Sequence, residues 1–364
     1  MALRKLRDQI IFRDEQRYAT FPSLTRTGDG ELLCGFRLAP RELEGHSHLH
    51  SRSRAVLVRS GDDGESWSQE PTAICPDDEL GQQDPQLATS SGGRVLASFF
   101  RWQAHAESEA KGIAELHPRA SKGCLWSNAG LGCCHSDDGG RTWSELCRLP
   151  FPWDVRGGAS RAPTVQISDG RLLLPCYGAS PAGPHSAGYL MHSDDDGVNW
   201  SFLSVIADGN EGDEPFECHE PFVLRLASDR LICFIRSYGG GGRGQGGGLT
   251  RWCTSDDGGV TWSRTIESRV WGFPQAAITL QDERVVLACG HRREPLGVQA
   301  RLLDAACMNI DEAEPLIVRD DGASTDLGYP TLIERQDGTV LLAYYIHGAE
   351  GVRHIAGSVL GVDD

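Results

Sequence analysis

The chain has 364 residues, a formal net charge of −16, 39% hydrophobic residues, 44 glycines and only three methionines. That balance excludes a disordered chain and fits a turn-rich globular one. The negative charge argues against nucleic acid or an anionic membrane as partner, and it means that an anionic substrate would need a local cluster of arginines.

The first segment, MALRKLRDQIIFRDEQ, lacks the run of about 7–15 apolar residues of a secretory leader, and no stretch approaches the ~20 needed to span a membrane. The twelve cysteines show no zinc-like CxxC pairs. Several of them (Cys34, Cys176, Cys233, Cys289) sit inside apolar runs, where a thiol packs as a small hydrophobe. A reducing cytoplasm is therefore the expected setting. No cofactor motif is present, and none is expected.

A strand near Ile10–Arg13 comes first, placed to pair with the last strands of the chain. Six similar units follow, about 53–78 residues apart. Each has a proline expected to open a short strand: Pro22, Pro85, Pro163, Pro221, Pro274 and Pro330. A turn comes next (Asp29-Gly30, Gly92-Gly93, Asp169-Gly170, Asp229-Arg230, Asp282-Glu283, Asp337-Gly338). An apolar strand closes the hairpin: ELLCGF, RVLASFF, RLLLPCY, RLICFI, RVVLAC or TVLLAYY. Late in units one to four the strings SGDDGESW (60–67), SDDGGRTW (136–143), SDDDGVNW (193–200) and SDDGGVTW (255–262) repeat S-x-D-x-G-x-[TSN]-W, and unit five has a degenerate version near Asp304. Asp and Gly suit a tight turn and the tryptophan pins it. Recurrence at this period indicates a repeat architecture, and the expectation is an all-β, six-bladed propeller of four-stranded antiparallel blades. Residues 1–364 read as one such domain.

The hairpins also predict what lies at the mouth of the central channel. A residue just before each proline starts a descending strand, and one about sixteen positions later ends the returning strand on the same face. This pairs Thr20/Phe21 with Arg37, Asp84 with Arg101, Arg161/Ala162 with Tyr177 and Glu220 with Arg236. Phe273 pairs with His291, Arg292 and Arg293, and Tyr329 with Tyr345 and His347. Two carboxylates, several arginines and a few tyrosines and histidines on one rim form a candidate binding site.

The S-x-D-x-G-x-T-W string is similar to the Asp box, and with FPSL near the start the whole chain resembles the sialidase (neuraminidase) superfamily. In that family the boxes lie away from the active site, so the resemblance makes them scaffold. ECHEPFVLRLASDRLICFIR matches the family's glutamate and arginine with Glu220 and Arg236, and DLGYPTLIERQDGTVLLAYY matches its tyrosine with Tyr329. The resemblance implies that Tyr329 is a nucleophile and Glu220 its base. A phenol suits attack on a sugar that carries a carboxylate at the anomeric carbon, and with an ordinary pKa near 10 it needs an adjacent base. Arginine forks suit that carboxylate: Arg236, with Arg292 or Arg293 and with Arg301 as a fallback.

The chain departs from the family in two places. Thr20 stands where an Arg-Ile-Pro segment would put a carboxylate-binding arginine; Arg37 or Arg17 is the nearest substitute. The loop 37–54 has no aspartate to act as the leaving-group acid. Glu44, His46, His48 and His50 are its candidates, with Asp84 from the next unit. The alternating histidines read as a surface loop, as acid–base or substrate-binding groups, or as a metal pair. The leading expectation is a hydrolase of sialidase type for glycosides of an acidic sugar. Tyr329, Glu220, Asp84 and His48 would be its catalytic residues, and Arg236, Arg292, Arg293, Arg37, Arg101, His46, His50 and Tyr177 would bind substrate. A uronate-type lyase and a non-catalytic glycan-binding propeller are the alternatives. The Gly-rich run SYGGGGRGQGGG (237–248) follows Arg236 and is expected to overhang the mouth as a loop or lid.

Overall fold

A computed structural model describes residues 2–41, 49–76, 79–109, 111, 113, 116, 124–151, 158–212, 214–239 and 248–363. Six four-stranded antiparallel sheets form the blades of a propeller, as expected. Blade one comprises Arg17–Arg26, Leu32–Pro40, Arg54–Ser60 and Thr72–Ala73, and blade two Gly81–Thr89, Val95–Ala106, Cys124–Ser136 and Cys147–Arg148. Blade three has Val165–Gln166, Leu172–Ala179, Ser186–Ser193 and Ser201–Asp208; blade four has Phe216–Arg225, Leu231–Gly239, Leu249–Ser255 and Ile266–Trp271. Blade five has Gln275–Thr279, Val285–His291, Gly297–Leu303 and Leu316–Arg319. Blade six takes Gly328–Glu334, Val340–Ile346 and His354–Asp363 from the end of the chain, and Ala2–Phe12 from its start as the outermost strand. The N-terminal strand thus closes the ring, pairing from Ala2↔Asp363 to Phe12↔Ile355.

The core fills the spaces between blades. The apolar second strands supply its largest share: Leu32, Leu33 and Phe36 of blade one and Val285, Val286 and Leu287 of blade five are at most 1% exposed. Leu87 of blade two enters blade one against Gly35, where an added Cβ would stand 2.8 Å from it. None of the twelve cysteines is in a disulfide; ten are buried, with Cys124 and Cys147 partly exposed. Burial pushes the Cys34 and Cys176 thiols well above the ordinary range, as expected for inert packing residues.

The Asp boxes join third strands to fourth strands. Ser136 Oγ donates to Asp138 Oδ1 (2.7 Å) and accepts from the Gly140 N–H (2.7 Å), while Asp138 accepts from the Thr142 N–H (2.8 Å). The same serine–glycine bond occurs at Ser60, Ser193 and Ser255. In blade five Asp304 alone gathers the N–H groups of Ala306, Met308 and Asn309. Since the first strands descend from the mouth and the third strands descend again, every box lies on the face opposite the mouth.

One expectation about the strands needs correcting. Pro22, Pro85, Pro221 and Pro330 do not open their strands, which begin earlier at Arg17, Gly81, Phe216 and Gly328. Each proline sits inside its strand at a bulge. The pairing jumps from Thr20 to Ser23, from Gln83 to Gln86, from His219 to Phe222 and from Gly328 to Thr331. A residue without an N–H is tolerated there because the ladder is already interrupted.

Candidate active site

These bulges build the site. The residue ahead of each proline has a left-handed backbone: φ is 59° at Phe21, 49° at Asp84, 47° at Glu220 and 52° at Tyr329. A non-glycine residue in this region costs on the order of 1–3 kcal/mol and tends to mark a functional position. A bulge turns its side chain away from the regular alternation. Because all four lie on first strands, which adjoin one another around the axis, their side chains converge on a central pit.

At its centre the Tyr329 hydroxyl donates to Glu220 Oε1 at 2.8 Å. Arg236 Nη1 donates to Glu220 Oε2 at 2.7 Å and stands 3.4 Å from the Tyr329 oxygen. Tyr329 is 7% exposed and Glu220 5%. Burial pushes the Glu220 carboxyl up, but the charge and hydrogen bond of Arg236 and the bond from Tyr329 outweigh it, leaving the group below the usual carboxylate range. It is an ionised acceptor already bonded to the phenol proton. Burial and the Glu220 charge push the Tyr329 phenol up, with Arg236 and Arg292 opposing. The tyrosine therefore rests neutral, and its proton has one obvious destination.

Three guanidinium groups surround this tyrosine. Arg236 lies between the rings of Tyr238 (4.8 Å) and Phe273 (4.3 Å). Arg292 stands 5.3 Å from the Tyr329 ring centre and donates to the Leu327 carbonyl. Arg161, from blade three, lies 4.8 Å over the same ring and donates across the axis to the Tyr329 carbonyl (3.0 Å). In each of the three, Nε is buried without a hydrogen-bond partner among the described residues. The sequence put Arg161 on the rim but not in the site; its place two residues before Pro163, level with Thr20 and His219, was the available signal.

Asp84 is 4% exposed. Burial and the Glu220 charge raise its carboxyl to about 7, against the pull of Arg161 and Arg37. Arg37 pairs with Thr20 in the strand register and is fully buried. Its charge is shared with Tyr18, Asp84, Asp326 and Tyr345. Asp326, missed by the hairpin rule because it lies in the loop before Gly328, accepts from Tyr18 (2.6 Å) and Tyr345 (2.7 Å) and pairs with Arg353 (2.6 Å). This network holds Tyr345, whose ring is 5.8 Å from that of Tyr329.

The other expected residues fall as follows. Tyr177 stacks on His219 (5.3 Å) and feels the charges of Glu220 and Tyr329. Arg101 is buried and donates to the Ala129 carbonyl. Arg293 is exposed and lies over Trp271 at 3.9 Å rather than over Tyr329; both arginines lie in the turn after the strand ends at His291, and there Arg292 and not Arg293 meets the tyrosine. Arg301 sits in mid-strand opposite Leu287 and Arg17 lies 4.0 Å from Asp14, both away from the pit. His50 is buried and accepts the Arg52 N–H on Nδ1, a turn role. Glu44, His46 and His48, and the Gly-rich run from 240 to 247, lie outside the described residues.

Fold and pit together define a propeller of the sialidase superfamily. The sequence profile of the BNR repeat-like domain family matches residues 119–342, and the chain belongs to that family. A stretch of 139 residues is 32% identical to the anhydrosialidase of Macrobdella decora, covering 36% of this chain and 16% of that much longer protein. Among solved structures, a protein of unknown function from Dyadobacter fermentans superposes over 99% of both chains at 28% identity with a TM-score of 0.88. A leech intramolecular trans-sialidase bound to 2,7-anhydro-Neu5Ac superposes over 96% of this chain and 69% of that one, at 18% identity and a TM-score of 0.65. Trypanosoma rangeli sialidase does so over 94% and 55%, at 16% and 0.62. The last two are likenesses of fold.

Proposed function

We propose that this protein is a glycoside hydrolase of sialidase type, acting on glycosides of a sugar whose anomeric carbon bears a carboxylate: sialic acid or a related ulosonic acid. The observation that carries the reading is the hydrogen bond from Tyr329 to Glu220, with Arg236 on the second carboxylate oxygen. Glu220 accepts the phenol proton as the Tyr329 oxygen attacks the anomeric carbon. The bond to the leaving oxygen breaks, and Asp84, protonated up to a pH of about 7, donates the proton that the leaving group needs. Water then releases the sugar from Tyr329, its proton passing to the carboxylate left on Asp84 while the proton held by Glu220 returns to the departing Tyr329 oxygen. A neutral phenol is preferred to a carboxylate nucleophile because the substrate is itself an anion. Arg236, Arg292 and Arg161 grip the substrate carboxylate; their buried Nε donors gain acceptors, which favours binding because an unmet buried donor is costly. Arg161 thereby stands in for the arginine absent at Thr20. Cysteines that form no disulfide support work in the cytoplasm.

A panel of aryl glycosides of ulosonic and uronic acids tests the reading. The wild type is expected to cleave an ulosonic member, and Tyr329→Phe to lose at least ~10³-fold in kcat, as for loss of a nucleophile. Full activity in Tyr329→Phe overturns the assignment. An unsaturated product absorbing in the near ultraviolet would mean a lyase, and binding without turnover, unchanged in Glu220→Gln, a lectin. The same assay distinguishes a free acid from an intramolecular anhydro product of the kind in the leech complex.

A further inference from the structure

We infer that Ser324 and His347 form a second hydrolytic site, a serine–histidine dyad that removes short acyl groups from a sugar hydroxyl. The dyad is read from its own geometry; only the choice of a sugar ester rests on the reading just given. Ser324 lies in the loop ahead of Gly328, and His347 directly follows the strand Val340–Ile346 on the mouth side of blade six. Ser324 Oγ is 2.8 Å from His347 Nε2, and His347 Nδ1 is 2.9 Å from the Gly348 carbonyl oxygen. A carbonyl can only accept, so Nδ1 carries a proton. Burial holds the imidazole below its ordinary value, against the pull of that hydrogen bond, so the ring is uncharged at neutral pH. Nε2 is then a bare lone pair, and the Ser324 hydroxyl donates to it. A serine is activated as a nucleophile in this way, by a base within reach and a third group that fixes the base.

The backbone holds both partners in place. The Ala323 N–H donates to the His347 carbonyl (3.0 Å) and the Gly322 N–H to the Leu296 carbonyl of blade five (2.9 Å), while the Asp326 N–H donates to Ser324 Oγ (3.3 Å). His347 is 7% exposed, and Ser324 is half-buried between the exposed residues Ala323 and Thr325. The base is thus shielded and the nucleophile reachable. The Thr325 N–H, next after the nucleophile, bonds to no described residue, and a donor at that position serves the oxyanion of acyl transfer. Ser324 Oγ attacks the ester carbonyl carbon as His347 Nε2 takes its proton. The bond to the sugar oxygen breaks, and that oxygen takes the proton from Nε2. Water then attacks the acyl carbon, its proton passing to Nε2, and the departing Ser324 oxygen recovers a proton from Nε2 as the acid is released. Asp326, one hydrogen bond from Ser324, also accepts from Tyr345, whose ring is 5.8 Å from that of Tyr329. The dyad therefore stands on the rim of the pit, beside an acyl group carried by the sugar bound there. A half-buried hydroxyl favours a short acyl chain over a long one.

The test begins with the wild type. A fluorophosphonate, which reacts with activated serines, followed by peptide mapping, is expected to mark Ser324. The wild type should hydrolyse p-nitrophenyl acetate with saturation and faster than the octanoate ester, and should release acetate from O-acetylated N-acetylneuraminic acid. Ser324→Ala and His347→Gln should each lose at least ~10²-fold in kcat/KM on the aryl acetate, with urea melts showing that both variants are folded. If a variant does not fold, the residue labelled in the wild type decides by itself. A serine–histidine bond that only holds the loop would leave Ser324 unlabelled and Ser324→Ala as active as the wild type; either result overturns the dyad. Labelling and aryl acetate cleavage without release of acetate from the acylated sugar overturns the assignment to a sugar ester. None of these assays breaks a glycosidic bond, so an inert glycoside panel beside a labelled Ser324 would sink the sialidase reading alone and leave the dyad supported.

Discussion

Replacing Asp84 by asparagine should separate two effects that share one cause. The carboxyl is raised from 3.8 to about 7, first by burial and then by the Glu220 charge. A group whose folded pKa exceeds its unfolded pKa adds stability that is complete below the unfolded value and is lost as pH rises through the folded one. The shift of about three units sets an upper bound of ~4 kcal/mol, and roughly 2.7 kcal/mol of it should vanish between pH 5 and pH 8.5. Urea melts of wild type and Asp84→Asn across that range should show the variant gaining on the wild type by one to three kcal/mol, on the order of that bound. In the activity assay, wild-type kcat/KM should fall about tenfold per pH unit above 7, as the proton to be donated is lost. The variant should lose roughly 10²–10⁴-fold on a sugar leaving group and much less on an aryl one, which departs without help. A stability difference that stays flat with pH would show that Asp84 does not hold its proton. Equal losses on both leaving groups would show that it does not donate one.

Two further variants probe the clamp and the scaffold. Arg161→Met should lower kcat/KM by about 10²-fold, mostly through KM, and Arg161→Lys should restore little, because an ammonium lacks the fork that serves a carboxylate; Kd measured with a non-hydrolysable acidic sugar checks this. Ser136→Ala orphans the buried Gly140 N–H, which should cost about 1–3 kcal/mol in a denaturant melt while leaving kcat/KM unchanged, since that box lies on the far face.

The repeats carried the architecture because each blade restates the same demands: a turn that needs Asp-Gly, an apolar strand that fills the space between blades, and a box whose serine and aspartate satisfy their own loop. Glu220, Arg236 and Tyr329 could be located because a hairpin returns its last residue to its starting face. The bulges were not legible. The sequence shows a proline, and only the broken pairing reveals that the residue before it takes a left-handed backbone and turns to the axis. Arg161 acts from blade three on the backbone of blade six, an interaction of long sequence separation that no local pattern encodes. Asp326 was hidden for the same reason: its partners Tyr18 and Tyr345 come from strands at opposite ends of the chain, and Arg353 from the turn just before the last strand. The choice between Arg292 and Arg293 depended on how the turn after His291 directs each side chain.

The account stands on Tyr329 as the atom that attacks. Incubation of the wild type with a 2,3-difluorinated derivative of the ulosonic acid it cleaves, followed by peptide mapping, tests this most directly. A sugar adduct on Tyr329, absent from Tyr329→Phe and slow to form in Glu220→Gln, is the predicted result. An adduct on another residue, or rapid turnover of the fluorinated sugar by Tyr329→Phe, would contradict it.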